Sequence, residues 1–233
     1  MNAINKVVVP KVPPLAREMI ALRIANMLED GSYANLGIGI PTLVSNWIEG
    51  RDIILQAEIG MLKTGALCEE EDQIEQDLIN ASCQFVTEMQ GSCYFGIETS
   101  FAMIRGGRMD MAVLGALQVS AKGDLAGWNN PSRGLGKMGN IGGSMDLAVG
   151  AKKVVVAMEH FTTGGEPKIV NECSYPLTAK GCVDVIVTNY ALIEVTPKGL
   201  VLKEAIPGVT AEDIKKMTAA TLIVADDFKE MEL

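Results

Sequence analysis

The chain has 233 residues, 48% hydrophobic but only 5% aromatic, with a net charge of −9. That suffices for one sizeable core of Val, Ile, Leu, Ala and Met, as in parallel sheets covered on both faces. The acidic balance excludes a nucleic-acid partner, which needs a basic face, but leaves room for a small anion held by backbone N–H groups.

The N-terminal stretch lacks the long apolar segment of a secretory leader, and no apolar run reaches the roughly 18 residues of a membrane span. A cytoplasmic protein is therefore expected. Cys68, Cys83, Cys93, Cys173 and Cys182 are odd in number and show no CxxC spacing. They point to reduced thiols rather than a disulfide framework or a zinc site. His160 is the single histidine. A His-rich metal cluster is thus impossible, and a Ser-His-Asp triad would need that one residue.

Residues 14–30 read as a helix, with Pro14 in its first turn and Gly31 at its stop. A short run, Tyr33–Leu36, leads into Gly-Ile-Gly-Ile-Pro at 37–41, where Pro41 opens a second helix. Residues 52–57 have strand length, and Glu58 follows at once, then Gly60. Acidic residues crowd 69–77, which reads as a solvated loop. Residues 99–107 suggest a short helix ended by glycine, and 110–117 a buried strand. Residues 121–145 form the longest Gly/Asn/Pro-rich loop. Strands follow at 154–159 and 184–189; His160 comes directly after the first and reads as a residue ordered at a strand end. A hairpin turning at Pro197–Gly199, a helix from Ala211 and a last apolar run at 222–226 complete the chain. The pattern predicts one α/β domain over 1–233, a layered and mostly parallel sheet with helices on both faces and an antiparallel edge.

In open α/β sheets, ligands sit beyond the carboxyl ends of the strands. The loop at 37–39, Glu58, and the glycine-rich loop ending at Gly142-Gly143 reach that rim. Glycine lets a substrate approach the backbone and frees N–H donors beside a carboxylate. On its own, a strand-end glutamate can equally be an ordinary solvated residue, and Gly142-Gly143 a tight entry into a helix. Gly37-x-Gly39 lacks the third glycine of a dinucleotide fingerprint, and Gly136–Gly139 is an uninformative GxxG.

Taken together, residues 34–48, 57–60, 77–80, 100–128, 141–160, 173–189 and 199–210 resemble, in order, the β subunit of 3-oxoacid CoA-transferases. That group acts on acetoacetate, succinate or 3-oxoadipate. The resemblance implies a CoA-transferase fold and a ping-pong exchange of CoA between an acyl-CoA and a small carboxylic acid. Glu58 matches the glutamate of the E-x-G motif, which carries the acyl group and then CoA. Gly142-Gly143 match the glycine pair before a short helix, making the Gly143 N–H the candidate oxyanion donor. Asn35, Gly37, Gly39 and Gly60 match stretches lining the same site. The resemblance further implies an α-subunit partner, as heterodimer or heterotetramer, and no cofactor beyond CoA as substrate.

This chain departs from the pattern around the acyl pocket. Ile59 replaces Asn after the glutamate, and Lys63–Ala66 replace a G-x-G-P-like turn. Ile97–Phe101 replace Ser-Ala-Asp-Ser-Phe, and Asn140-Ile141 replace Gly-Met. Reaction type therefore carries over better than substrate identity, and the apolar Ile59 is expected to withdraw water from Glu58. An acyl-CoA hydrolase of the same fold and a non-catalytic or metabolite-sensing subunit stand as alternatives.

Overall fold

A computed structural model describes residues 12–68, 74–131 and 141–233. Helix α1 (Arg17–Ala25) buries Ile20, Ala21, Ile24 and Ala25. It stops short of the predicted 14–30 because the chain turns at Asn26. Strand β1 (Tyr33–Leu36) follows, then a 3-10 helix at Ile40–Trp47 with Pro41 in its first turn, as its fixed φ allows. Next come β2 (Ile54–Ala57), β3 (Met61–Leu67), β4 (Val86–Tyr94) and α2 (Ile97–Arg105). They are followed by β5 (Met111–Leu114), β6 (Gln118–Ser120), β7 (Leu125–Ala126) and α3 (Ser144–Gly150). The last elements are β8 (Val154–Ala157), β9 (Ile169–Val170), β10 (Val185–Val187), β11 (Ala191–Thr196), β12 (Gly199–Ala205), α4 (Ala211–Met217) and β13 (Leu222–Glu230). Thr210 opens α4 with a reciprocal cap: its hydroxyl accepts from the Asp213 N–H, and the Asp213 carboxylate accepts from the Thr210 N–H.

Ten strands form one sheet in the order β13-β12-β11-β10-β8-β5-β1-β2-β3-β4. Five of its nine pairings are parallel, including the whole centre from β10 to β2. Every residue of β5, β8 and β10 is buried, as expected for strands covered on both faces. The predicted hairpin is β11–β12, held at its turn by the Thr196 hydroxyl donating to the Gly199 carbonyl at 2.8 Å.

A second antiparallel hairpin, β3–β4, closes the opposite edge, which the sequence pattern does not indicate. Its strands do not alternate cleanly. Register shifts interrupt the pairing, Lys63 sits at φ 60°, and β4 is largely exposed. A three-stranded sheet, β7-β6-β9, occupies part of the predicted 121–145 loop and the segment after β8. Its strands are too short to leave a periodic signal. The GxxG at 136–139 and part of the acidic 69–77 stretch lie outside the described residues. No described helix is long and apolar enough to cross a membrane.

Candidate active site

Strand β1 is the axis of the site, because it pairs in parallel with both β2 and β5. Parallel pairing brings the carboxyl ends of all three to one rim. Asn35, buried near the end of β1, donates from Nδ2 to the Gln56 backbone carbonyl at 3.0 Å and to Gln56 Oε1 at 2.7 Å. Gln56 in turn donates to the Ser100 hydroxyl at 2.7 Å. This buried chain of amides fixes the end of β2 against α2, so the next side chain emerges from a rigid base.

That side chain is Glu58, half-buried at the start of the turn from β2 to β3. Gly142, at φ 48°, and Gly143 enclose it. The Gly143 N–H donates to Glu58 Oε1 at 3.2 Å. A methyl group added at Gly143 would collide with the Glu58 carboxylate and stand 3.1 Å from the Phe101 ring; one at Gly142 would stand 3.3 Å from Oε1. Two glycines are thus needed because the carboxylate occupies the space that side chains would fill.

Glu58 faces a cavity of about 490 Å³, the size of an ordinary small-molecule site. Asn35, Gly37, Gly142 and Gly143 line it with Glu58; Gly39 and Gly60 do not. Gly39 instead ties the 37–41 loop to its neighbour. Its N–H donates to the Ser82 hydroxyl at 3.3 Å, and its carbonyl accepts from Thr42 Oγ1 at 2.7 Å. Gly60, at φ 133°, presses on the Phe95 carbonyl, where any Cβ would collide. Its glycine is explained by that backbone crossing.

The structure adds residues that the motifs did not reveal. The 80–84 loop contributes Asn80, Ala81 and Cys83 to the cavity wall. Asn80 Oδ1 shapes this loop by accepting from the N–H groups of Ser82 at 2.8 Å and Gln84 at 3.1 Å. Thr64 and Gly65, from the altered turn, also line the wall. Ile59 does not cover Glu58 as expected: it lies at the mouth, 65% exposed, because the turn swings its side chain outward. Glu98, in the first turn of α2, folds back against Gly96 and lies outside the cavity wall.

His160 is also away from the cavity. It is wholly buried after β8, with Nδ1 3.1 Å from the Thr188 hydroxyl and Nε2 3.1 Å from the Thr218 hydroxyl. Burial, reinforced by the nearby Lys168 ammonium, pushes its pKa down to about 4, so it stays neutral. Burial likewise raises the Cys173 and Cys182 thiols to about 11, whereas Cys83 and Cys93 are exposed.

A strand-end carboxylate held by a backbone N–H beside a mostly apolar cavity suits covalent acyl chemistry. The coenzyme A transferase family model matches residues 17–217. The chain belongs to that family. It is 45% identical to the β subunit of the 3-oxoadipate CoA-transferase of Acinetobacter baylyi, over 91% of this chain and 96% of that one. It is also 45% identical to the β subunit of the succinyl-CoA:3-ketoacid coenzyme A transferase of Helicobacter pylori, over 88% of this chain and 97% of that one. Among solved structures, an acyl-CoA transferase from E. coli O157:H7, in a thioester complex with CoA, superposes with a TM-score of 0.71 at 21% identity. The match covers 97% of this chain but only 44% of that larger chain, so it bears on the fold alone. The family's sheet is the one described above, and the site lies at its carboxyl-end rim.

Proposed function

We propose that this chain is the β half of an enzyme that moves CoA between an acyl-CoA and a carboxylic acid through a thioester on Glu58. The observation carrying the proposal is Glu58 seated between Gly142 and Gly143, with the Gly143 N–H on Oε1 and the cavity in front. A Glu58 oxygen attacks the thioester carbon, the C–S bond breaks, and an acyl-glutamyl anhydride and CoA thiolate form. The thiolate then attacks the Glu58 carbonyl carbon, expelling the first acid and leaving glutamyl-CoA. The incoming carboxylate runs both steps in reverse. Atoms and charge balance with no redox change and no group beyond CoA and the two acids.

Each step passes through a tetrahedral oxyanion, which a positioned N–H stabilises without reorganisation. Gly143 is that donor. The relatives are named as one subunit of two, which supports an α-subunit partner, and their names support acids of the 3-oxoacid group as substrates.

The test is to incubate the co-expressed α/β complex with acyl-CoA and no acceptor. CoA should be trapped on the peptide containing residues 56–60, and borohydride should reduce the adduct. Multiple-turnover release of free CoA without an acceptor would mark a hydrolase, and an unmodified Glu58 during active transfer would overturn the mechanism.

A further inference from the structure

The wall of the cavity is selective in its polarity. Among the described residues that line it, Glu58 is the only charged side chain, and none is cationic. Lys63 comes nearest in sequence, but its ammonium is turned onto β4, 3.4 Å from the Gln90 carbonyl. Leu36, Leu55, Leu114, Leu117 and Leu147 supply much of the apolar surface. A second carboxylate on the acyl chain would lose water here without gaining a counter-ion from this wall, and Glu58 would repel it.

Thr64 lines the same wall. It is 7% exposed, and its buried hydroxyl has no hydrogen-bond partner among the described residues. A buried hydroxyl without a partner is destabilising and calls for an explanation. The β3–β4 register shifts on both sides of Thr64, and the preceding Lys63 takes the left-handed backbone that the break requires. Thr64 also belongs to the 63–66 segment, where this chain departs from the family's usual turn.

We propose that Thr64 is a specificity-determining residue that hydrogen-bonds a neutral oxygen, an oxo or hydroxyl group, on the acyl chain, and that this wall disfavours acyl groups ending in a second carboxylate. The inference rests on the transferase reading and deepens it. It separates this chain from relatives named for 3-oxoadipate and succinyl-CoA, whose acids carry two carboxylates.

The experiment uses the α/β complex and reads the rate of CoA capture on Glu58, which needs no acceptor. Acetoacetyl-CoA, 3-hydroxybutyryl-CoA, butyryl-CoA and succinyl-CoA serve as donors. In the wild type, succinyl-CoA should be slower than the oxo and hydroxy donors by about a hundredfold. Thr64→Val should slow the oxo and hydroxy donors by about tenfold or more, leave butyryl-CoA within about twofold, and not lower the melting temperature. Thr64→Ser should restore the oxo and hydroxy rates. An equal fall for all donors would overturn the proposal, as would succinyl-CoA reacting fastest. If Thr64→Val does not assemble, the wild-type ranking and Thr64→Ser still decide. Capture with the wrong ranking sinks only this inference, whereas no capture from any donor sinks the transferase mechanism with it.

Discussion

Glu58 is held by contact rather than by charge: the two glycines leave it one seat, and one N–H points at it. Glu58→Gln keeps the volume and removes the nucleophile, so turnover should fall by several powers of ten while the complex still assembles. Glu58→Asp withdraws the carboxylate by one methylene, and a displacement of about 1 Å at a reacting atom costs on the order of a hundredfold. Gly143→Ala should be comparably damaging, because its methyl would take the carboxylate's place against Phe101. A Gly143→Ala complex with normal initial rates would show that Glu58 is free to sit elsewhere. At this scale the sequence was partly legible. Glu58, Gly142 and Gly143 stood out because a motif joins them. Thr64, Gln56 and Ser100 did not, because a hydroxyl's missing partner or an amide's distant one exists only once the chain is folded.

Between elements, two buried polar links have measurable consequences. Arg23 of α1 donates through Nε and Nη2 to both carboxylate oxygens of Glu204 on β12, each at 2.7 Å, with little of either side chain exposed. Arg23→Ala strands a buried carboxylate and should cost about 3 kcal/mol by urea denaturation. His160 joins the end of β8 to Thr188, after β10, and to Thr218, after α4. Its native pKa of about 4 lies below the ordinary value of 6.5. The unfolded chain therefore binds the extra proton, and the stability that His160 contributes is complete above pH 6.5 and lost as pH falls toward 4. The loss should be on the order of 3 kcal/mol across that window. Lys168, pushed down to about 8 chiefly by burial, is protonated in both states there and adds nothing. His160→Leu should flatten this part of the stability–pH curve, and an unchanged slope would rule out His160 as its source. The strand-end reading of His160 followed from the run before it, but its threonine partners lie 28 and 58 residues away in sequence and were not legible.

At the scale of the whole molecule, the cavity opens through an apolar rim that includes Ile38 and Ile59, at 63% and 65% exposure. Such a rim around an active carboxylate is the surface that a partner chain would cover. The chain alone should therefore turn over poorly and self-associate, whereas co-expression with an α subunit should give a stable, active heteromer on size exclusion. Full activity in the isolated chain would contradict this. The parallel centre of the sheet was readable because continuous Val, Ile and Ala runs admit little else. The β3–β4 edge was not: its polarity, bulges and long intervening segment erase the alternation that marks antiparallel strands.

The two suppressed thiols give the protein a record of its own opening. With pKa values near 11, Cys173 and Cys182 are thiolates in only about one molecule in a thousand at pH 8, and alkylating reagents attack the thiolate. Iodoacetamide should mark the exposed Cys83 and Cys93 within minutes yet reach Cys173 and Cys182 only in chains that have come apart. The ratio of the two labels would then act as a clock for unfolding inside an intact, working complex, without any introduced probe.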